Sequence, residues 1–175
     1  MLRLMTFNAN GIRSADKKGF WTWFDAQSTD ILCVQELKAQ EADISEAMKK
    51  RPGYHAYFHC AVKKGYSGCG VWSKVEPRHV QIGFGIPEFD DEGRYVRLDF
   101  EHTSLIGVYF PSGTIVRRQN TGFSLLSKRT WKSSETPVAK LCSWGTSTLR
   151  TRRSTLKIGR GILITRDSCR KNVRG

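Results

Sequence analysis

The sequence predicts a mixed α/β protein built in layers, followed by an irregular basic tail. Three observations carry this expectation. Strand-like and helix-like stretches alternate at the start and then give way to a run of period-two stretches, the order of an α/β layer protein. The apolar runs are short, far from the ~20 residues of a membrane span. The net charge of +13 lies wholly after Gly113: residues 1–113 hold 14 Lys/Arg against 14 Asp/Glu, and residues 114–175 hold 15 against 2. Such asymmetry marks a nucleic-acid-binding tail or a change in the origin of the sequence.

The elements follow in order. Leu2 to Phe7 alternates apolar and polar residues, as a strand does, and stops at the turn signal Asn8-Ala-Asn-Gly11. Lys18 to Ala26 carries Phe20, Trp21, Trp23 and Phe24 on an amphipathic helix. Ile31 to Val34 is a buried strand between Asp30 and Gln35. Glu41 to Lys50 is helical in type, acidic early and basic late, with Pro52-Gly53 as the stop. From Tyr54 the period becomes two. Strands are expected over Tyr54 to Cys60, Gly70 to Ser73, Arg78 to Gly83, Arg94 to Phe100 and Leu105 to Tyr109. Thr114 to Gly175 shows no sustained period and is rich in Ser, Thr and Arg. The domain reading is therefore 1–113 as folded unit and 114–175 as tail.

The five cysteines, Cys33, Cys60, Cys69, Cys142 and Cys169, are odd in number, irregularly spaced and free of any CxxC. Reduced thiols in a cytoplasmic protein are expected, not a disulfide scaffold or a zinc site. The N-terminus has too short an apolar stretch for a signal peptide, and no membrane partner is expected.

Three segments place polar residues where a buried strand emerges, which is where α/β architectures gather site residues. They are Thr6-Phe7-Asn8-Ala9-Asn10-Gly11-Ile12-Arg13, Leu32-Cys33-Val34-Gln35-Glu36-Leu37-Lys38 and Gly107-Val108-Tyr109-Phe110-Pro111-Ser112-Gly113. Singly each is weak. Glu36 could be a solvated loop acid, Asn8 an ordinary turn residue and Tyr109 a packed aromatic. Together, in this order, they resemble the exonuclease III class of abasic-site endonucleases within the endonuclease/exonuclease/phosphatase superfamily. The resemblance extends to Lys64-Gly65-Tyr66-Ser67-Gly68 and Asp91-Glu92-Gly93-Arg94, and spans residues 1–113.

The resemblance implies a four-layer α/β sandwich, two β-sheets flanked by helices, of which this chain holds the N-terminal half. It implies a monomer that uses Mg²⁺ (or Mn²⁺) to cut double-stranded DNA 5′ to abasic sites and to degrade 3′ ends. Asn8 and Glu36 resemble the metal-site pair, with Glu36 the direct ligand. Tyr109 resembles the catalytic tyrosine that contacts the scissile phosphate. Asn10, Gly11 and Arg13 resemble the loop beside the DNA, and Gln35 a residue that orients Glu36. Half a sandwich would also leave one sheet face without a partner, exposing apolar surface.

The family's later G-D-x-N motif, holding its general base and a phosphorane-stabilising Asn, does not occur in this sequence. The tail accounts for that when back-translated. Lys140 to Leu149 can be encoded by g aaa ttg tgc tcg tgg ggg aca tca aca ttg. Begun one base earlier, the same bases read E-I-V-L-V-G-D-I-N-I, a buried strand ending in the absent motif. In that frame Arg150 to Gly159 permits A-H-K-E-I-D-L-K-N-W, and Thr165 to Gly175 permits N-S-G-F-L-P-E-E-R-A-W. Both resemble the family segments that follow. The expectation is that residues after about 113 are the same gene read one base out of frame, and that the 175-residue chain is inactive. Two rivals remain. One is a small basic nucleic-acid-binding protein whose tail is genuine. The other is a superfamily phosphatase acting on lipid or inositol phosphates.

Overall fold

The computed structural model describes residues 2–110 and, beyond them, the strand segments 147–151, 154–158 and 162–166. Two four-stranded sheets form the frame. The first takes β1 (Leu4–Asn8), β2 (Ile31–Gln35), β3 (His55–His59) and β4 (Cys69–Ser73) in the order β1-β2-β4-β3. β1 and β2 are parallel, and the other pairs are antiparallel. The second takes β5 (His79–Ile82), β6 (Tyr95–Asp99) and β7 (Thr103–Val108), all antiparallel. Of the tail strands β8 (Ser147–Thr151), β9 (Ser154–Ile158) and β10 (Ile162–Arg166), β10 pairs antiparallel with β7, and β8 pairs with β9 as a separate ribbon. The sequence shows no strand period there, so these fifteen residues depart from the irregular tail expected. The break itself, at 111–146, lies outside the described residues, as do Cys142 and Cys169.

A parallel β1–β2 pair needs a crossover. It is supplied by α1 (Ile12–Lys17) and α2 (Phe20–Asp25), packed with α3 (Glu46–Lys49) on one face of the first sheet. The continuous burial of β2 and β4 follows, because both of their faces are covered. Leu32, Val34 and Trp72 face the helices with Ile12, Phe20, Phe24 and Met48. Ile31, Cys33, Cys69 and Val71 face the second sheet, meeting Val96, Leu98 and Leu105. Thus residues before 110 supply the first sheet, three of the four strands of the second and the core between them, and the first sheet lacks no partner. The face with no described helix over it is the outer face of the second sheet. There the side chains are largely polar: Arg97 bonds Asp99 at 2.7 Å, and His79 lies 3.3 Å from the same carboxylate.

One expected helix changes form, and two short ones appear that the sequence did not announce. Glu41 to Lys50 is not one helix but a 3-10 turn at Glu41–Asp43 and then α3. Ile44, 2% exposed, is pulled into the core between them, and Ser45 starts the second piece by accepting from Met48 N. α1 and α4 (Pro87–Asp90) are too short to show a helical period in the sequence. The three described cysteines are free, and burial pushes the Cys33 and Cys69 thiols up, so they act as small core residues.

Candidate active site at the strand ends

Parallel β1 and β2 end on the same edge of the sheet, with Asn8 opposite Gln35. Their outgoing loops are zipped together by backbone bonds: Ala9 N to Gln35 O at 2.9 Å, Gly11 N to Glu36 O at 2.8 Å and Ile12 N to Leu37 O at 2.9 Å. The loop entering β4 joins them through Leu37 N to Gly68 O at 3.1 Å and Lys38 N to Ser67 O at 2.9 Å. β7 ends beside them, and Tyr109 N is anchored on Arg94 O at 3.0 Å. The three sequence segments singled out above therefore meet at one place, on the rigid edge of the sandwich.

At the centre is the Glu36 carboxylate. Its Oε1 accepts from Asn8 Nδ2 at 2.7 Å and from the Tyr109 hydroxyl at 2.9 Å. Its Oε2 lies 3.1 Å from Lys38 Nζ. Lys38 also donates to Asn10 Oδ1, and Asn8 Oδ1 accepts from Asn10 N at 3.0 Å. Partial burial raises the cost of ionising Glu36. The bonds from Asn8, Lys38 and Tyr109 and the Lys38 charge outweigh it, and the carboxyl is held below its usual 4.5. Tyr109 moves the other way. Burial, and then its bond to the Glu36 carboxylate, push the phenol up to about 12. It is a fixed proton donor at neutral pH, not a phenolate.

Behind Tyr109 lies a residue without a role in the sequence motifs. The Arg94 guanidinium sits 4.9 Å from the Tyr109 ring centroid and 5.7 Å from that of Tyr66, and it donates to the Tyr66 hydroxyl at 2.9 Å. It is 3% exposed and also ion-paired with Glu92. Two tyrosines and the guanidinium form a stack that fixes the Tyr109 ring. The only sequence signal was the Asp91-Glu92-Gly93-Arg94 segment itself. Lys38, as counter-ion of Glu36, was equally unassigned.

The remaining site residues fall as follows. Gly11, at φ 109°, makes the turn that brings Asn10 back over the strand ends. Arg13 points along α1 toward Asp43, 3.8 Å away, with both side chains about half exposed. The Gln35 side chain exchanges bonds with Thr6 Oγ1, at 2.9 and 3.2 Å, instead of touching the Glu36 carboxylate. Adjacent strand residues point to opposite faces, so Gln35 steadies the β1–β2 pair from below.

No cluster of three or more His, Cys, Asp or Glu side chains that could hold a metal occurs among the described residues. One carboxylate braced by amides still suits one side of a hard-cation site, because Mg²⁺ keeps several waters and takes one or two carboxylates plus substrate phosphates. The donor set fits Mg²⁺ or Mn²⁺ held loosely, with the Lys38 ammonium neutralising the same carboxylate.

Known proteins are similar to this chain in sequence and in fold. An exodeoxyribonuclease from Bacillus subtilis (strain 168) is 39% identical over 112 residues, 63% of this chain and 43% of that protein. The DNA repair nuclease APEX1 from Danio rerio is 33% identical over 115 residues, 65% of this chain and 37% of that protein. An AP endonuclease structure from Archaeoglobus fulgidus superposes with a TM-score of 0.61 at 31% identity, covering 75% of this chain and 50% of that one. The chain thus spans less than half the length of either curated relative. The match to the family described as "Endonuclease/Exonuclease/phosphatase family" runs over residues 5–158, most of the sequence, and the chain belongs to that family.

Proposed function

We propose that this sequence encodes a metal-dependent DNA-repair phosphodiesterase, a 3′-5′ exodeoxyribonuclease and abasic-site endonuclease, and that the 175-residue chain carries only part of its active site. The observation that carries the reading is the convergence of Asn8, Glu36 and Tyr109 from three distant segments on one carboxylate. Relatives that are named exodeoxyribonuclease and AP endonuclease support the DNA-repair branch over the lipid or inositol phosphatases.

Glu36 is the direct ligand of Mg²⁺ (or Mn²⁺), and Asn8 holds its oxygen in place. When bound, the metal lowers the pKa of a water and offsets charge on the phosphate. Tyr109, protonated at neutral pH, donates to the scissile phosphate once a substrate oxygen replaces the Glu36 acceptor. Asn10, Gly11 and Arg13 face the DNA, and Gln35 stiffens the strand ends beneath Glu36. The substrate is double-stranded DNA with an abasic site or a 3′ end, and the intact enzyme is a cytoplasmic monomer.

By the family resemblance, the general base and phosphorane-stabilising Asn belong to the G-D-x-N motif, which this sequence lacks and which a permitted back-translation of residues 140–149 yields one base out of frame. Four relatives at 31–39% identity match over only 111 to 115 residues, which supports a break within the chain, while the family match itself continues to residue 158. With the frame restored, the protein is expected to nick a synthetic abasic duplex in Mg²⁺ and to leave inositol phosphates intact. Glu36→Ala should lower that rate by hundreds of fold, the scale of a lost electrostatic contact at ~3–4 kcal/mol. Preference for the inositol phosphates would move the protein to the other branch.

A further inference from the structure

A groove beside the Asn10 loop takes no part in the chemistry proposed so far. It is lined by Phe7, Asn10, Ser14, Lys18, Phe20 and Trp23, with a volume of about 480 Å³, within the range of small-molecule sites. Its walls are aromatic. Phe7 and Phe20 stack at 4.2 Å and 11°, and Trp23 lies 6.0 Å from Phe20. Trp21, on the same helix, is 7% exposed, whereas Trp23 is 51% exposed and leaves half an indole facing solvent. The rim is polar: Asn10, Ser14 and Lys18. Asn10 is common to the groove and to the site, since its Oδ1 accepts from Lys38, which pairs with Glu36.

We propose that this groove is a nucleobase subsite, which takes one unpaired base of the DNA strand held at Glu36, stacked on Trp23, with a neighbouring phosphate on Lys18. It rests on the DNA reading of the Glu36 cluster. Three features select the occupant. An exposed indole offers a face to any base, so binding by stacking is tolerant of sequence. A lysine at the rim suits a phosphate and would be left without a counter-charge by an apolar peptide. Continuity through Asn10 puts the groove where a strand engaged at Glu36 must pass. A base beside an abasic gap or at a frayed 3′ end has already lost part of its stacking, so it reaches the groove at the lowest cost.

The test uses the full 175-residue chain and two single-stranded oligodeoxynucleotides of equal length, one of thymidines and one of base-free tetrahydrofuran units. Both present the same phosphates to the basic tail, so the difference in affinity isolates the base. The thymidine strand should bind about tenfold tighter, the scale of one stacked base. Trp23→Ala should abolish that difference and leave the base-free affinity unchanged, while Trp23→Phe keeps most of it. Equal affinities in the unmodified chain, or an equal loss on both strands in Trp23→Ala, would overturn the subsite. So would a Trp23 emission change saturated by an aromatic tripeptide but not by the thymidine strand, which would assign the groove to a protein partner. The DNA reading of Glu36 is read separately, from the Tyr109 ring resonances on adding the base-free strand. No shift there overturns that reading, while the base increment still decides the subsite.

Discussion

Asn10, Glu36 and Lys38 sit at φ 44°, 55° and 47°, in the left-handed region that residues with a Cβ seldom adopt. Each costs on the order of 1–3 kcal/mol, and the backbone zipper between the three loops is what holds them there. The strain turns the Glu36 carboxylate out of the strand line and up to Asn8, Lys38 and Tyr109. Replacing Tyr109 by Phe removes one donor from that carboxylate. The Glu36 carboxyl should then titrate higher than in the unmodified protein, as carboxyl NMR resonances would report. The sign for stability follows. A carboxyl depressed in the folded state stabilises the fold above its unfolded pKa of about 4.5 and loses that contribution as pH falls through the folded value. Tyr109→Phe should therefore cost about 1.5–3 kcal/mol at pH 7, the worth of a bond to a charged group, and less at pH 3. An equal cost at both values would show that the bond does not act through the Glu36 charge. Tyr109 itself, up at about 12, adds no pH dependence below about pH 10. At this scale Asn8, Glu36 and Tyr109 were legible because each stands in a short motif at a strand end. Arg94 and Lys38 were not, because their roles arise only when loops far apart in sequence stack together.

Most strands were legible because their period shows directly: β3, β5, β6 and β7 differ from the sequence expectation by one or two residues at their ends. α1 was missed because six residues after Gly11 give less than two turns of period, and its N-terminus has no side-chain cap to announce it. The break at Ile44 was hidden because burial of one side chain overrides a favourable charge pattern. One turn is set by a single glycine. Gly93 lies at φ 63°, and a Cβ there would come within 2.5 Å of Ala61 N and 2.6 Å of His59 O. This turn brings Arg94 and β6 against the end of β3. Gly93→Ala should destabilise the protein by about 3 kcal/mol, combining strain and displaced backbone, as urea unfolding would measure. A change under about 0.5 kcal/mol, the scatter of ordinary surface substitutions, would mean that the turn relaxes freely and does not position Arg94.

At the scale of the whole molecule, residues before 110 build the first sheet, three of the four strands of the second, the core between them and the candidate site around Glu36. The excess of +13 lies entirely in the remainder. That imbalance was visible in the sequence, and the expected motif is one that a permitted back-translation yields one base out of frame. The pairing of β10 with β7 was not visible, because antiparallel partners nearly sixty residues apart leave no local signal. Sequencing the genomic locus across codons 112–118 should reveal one base gained or lost relative to the family reading; an unbroken frame would remove the frameshift account. No helix among the described residues is long and apolar enough to cross a membrane. On the proposed function, Asn8, Glu36 and Tyr109 are necessary but insufficient without the G-D-x-N strand. That claim is tested by Mg²⁺-dependent nicking of an abasic duplex, with the 175-residue chain and the frame-restored chain side by side. Background rates from the first and rapid nicking from the second, lost in Glu36→Ala, are the expected result. Robust nicking by the 175-residue chain itself, abolished by Glu36→Ala, would contradict the claim.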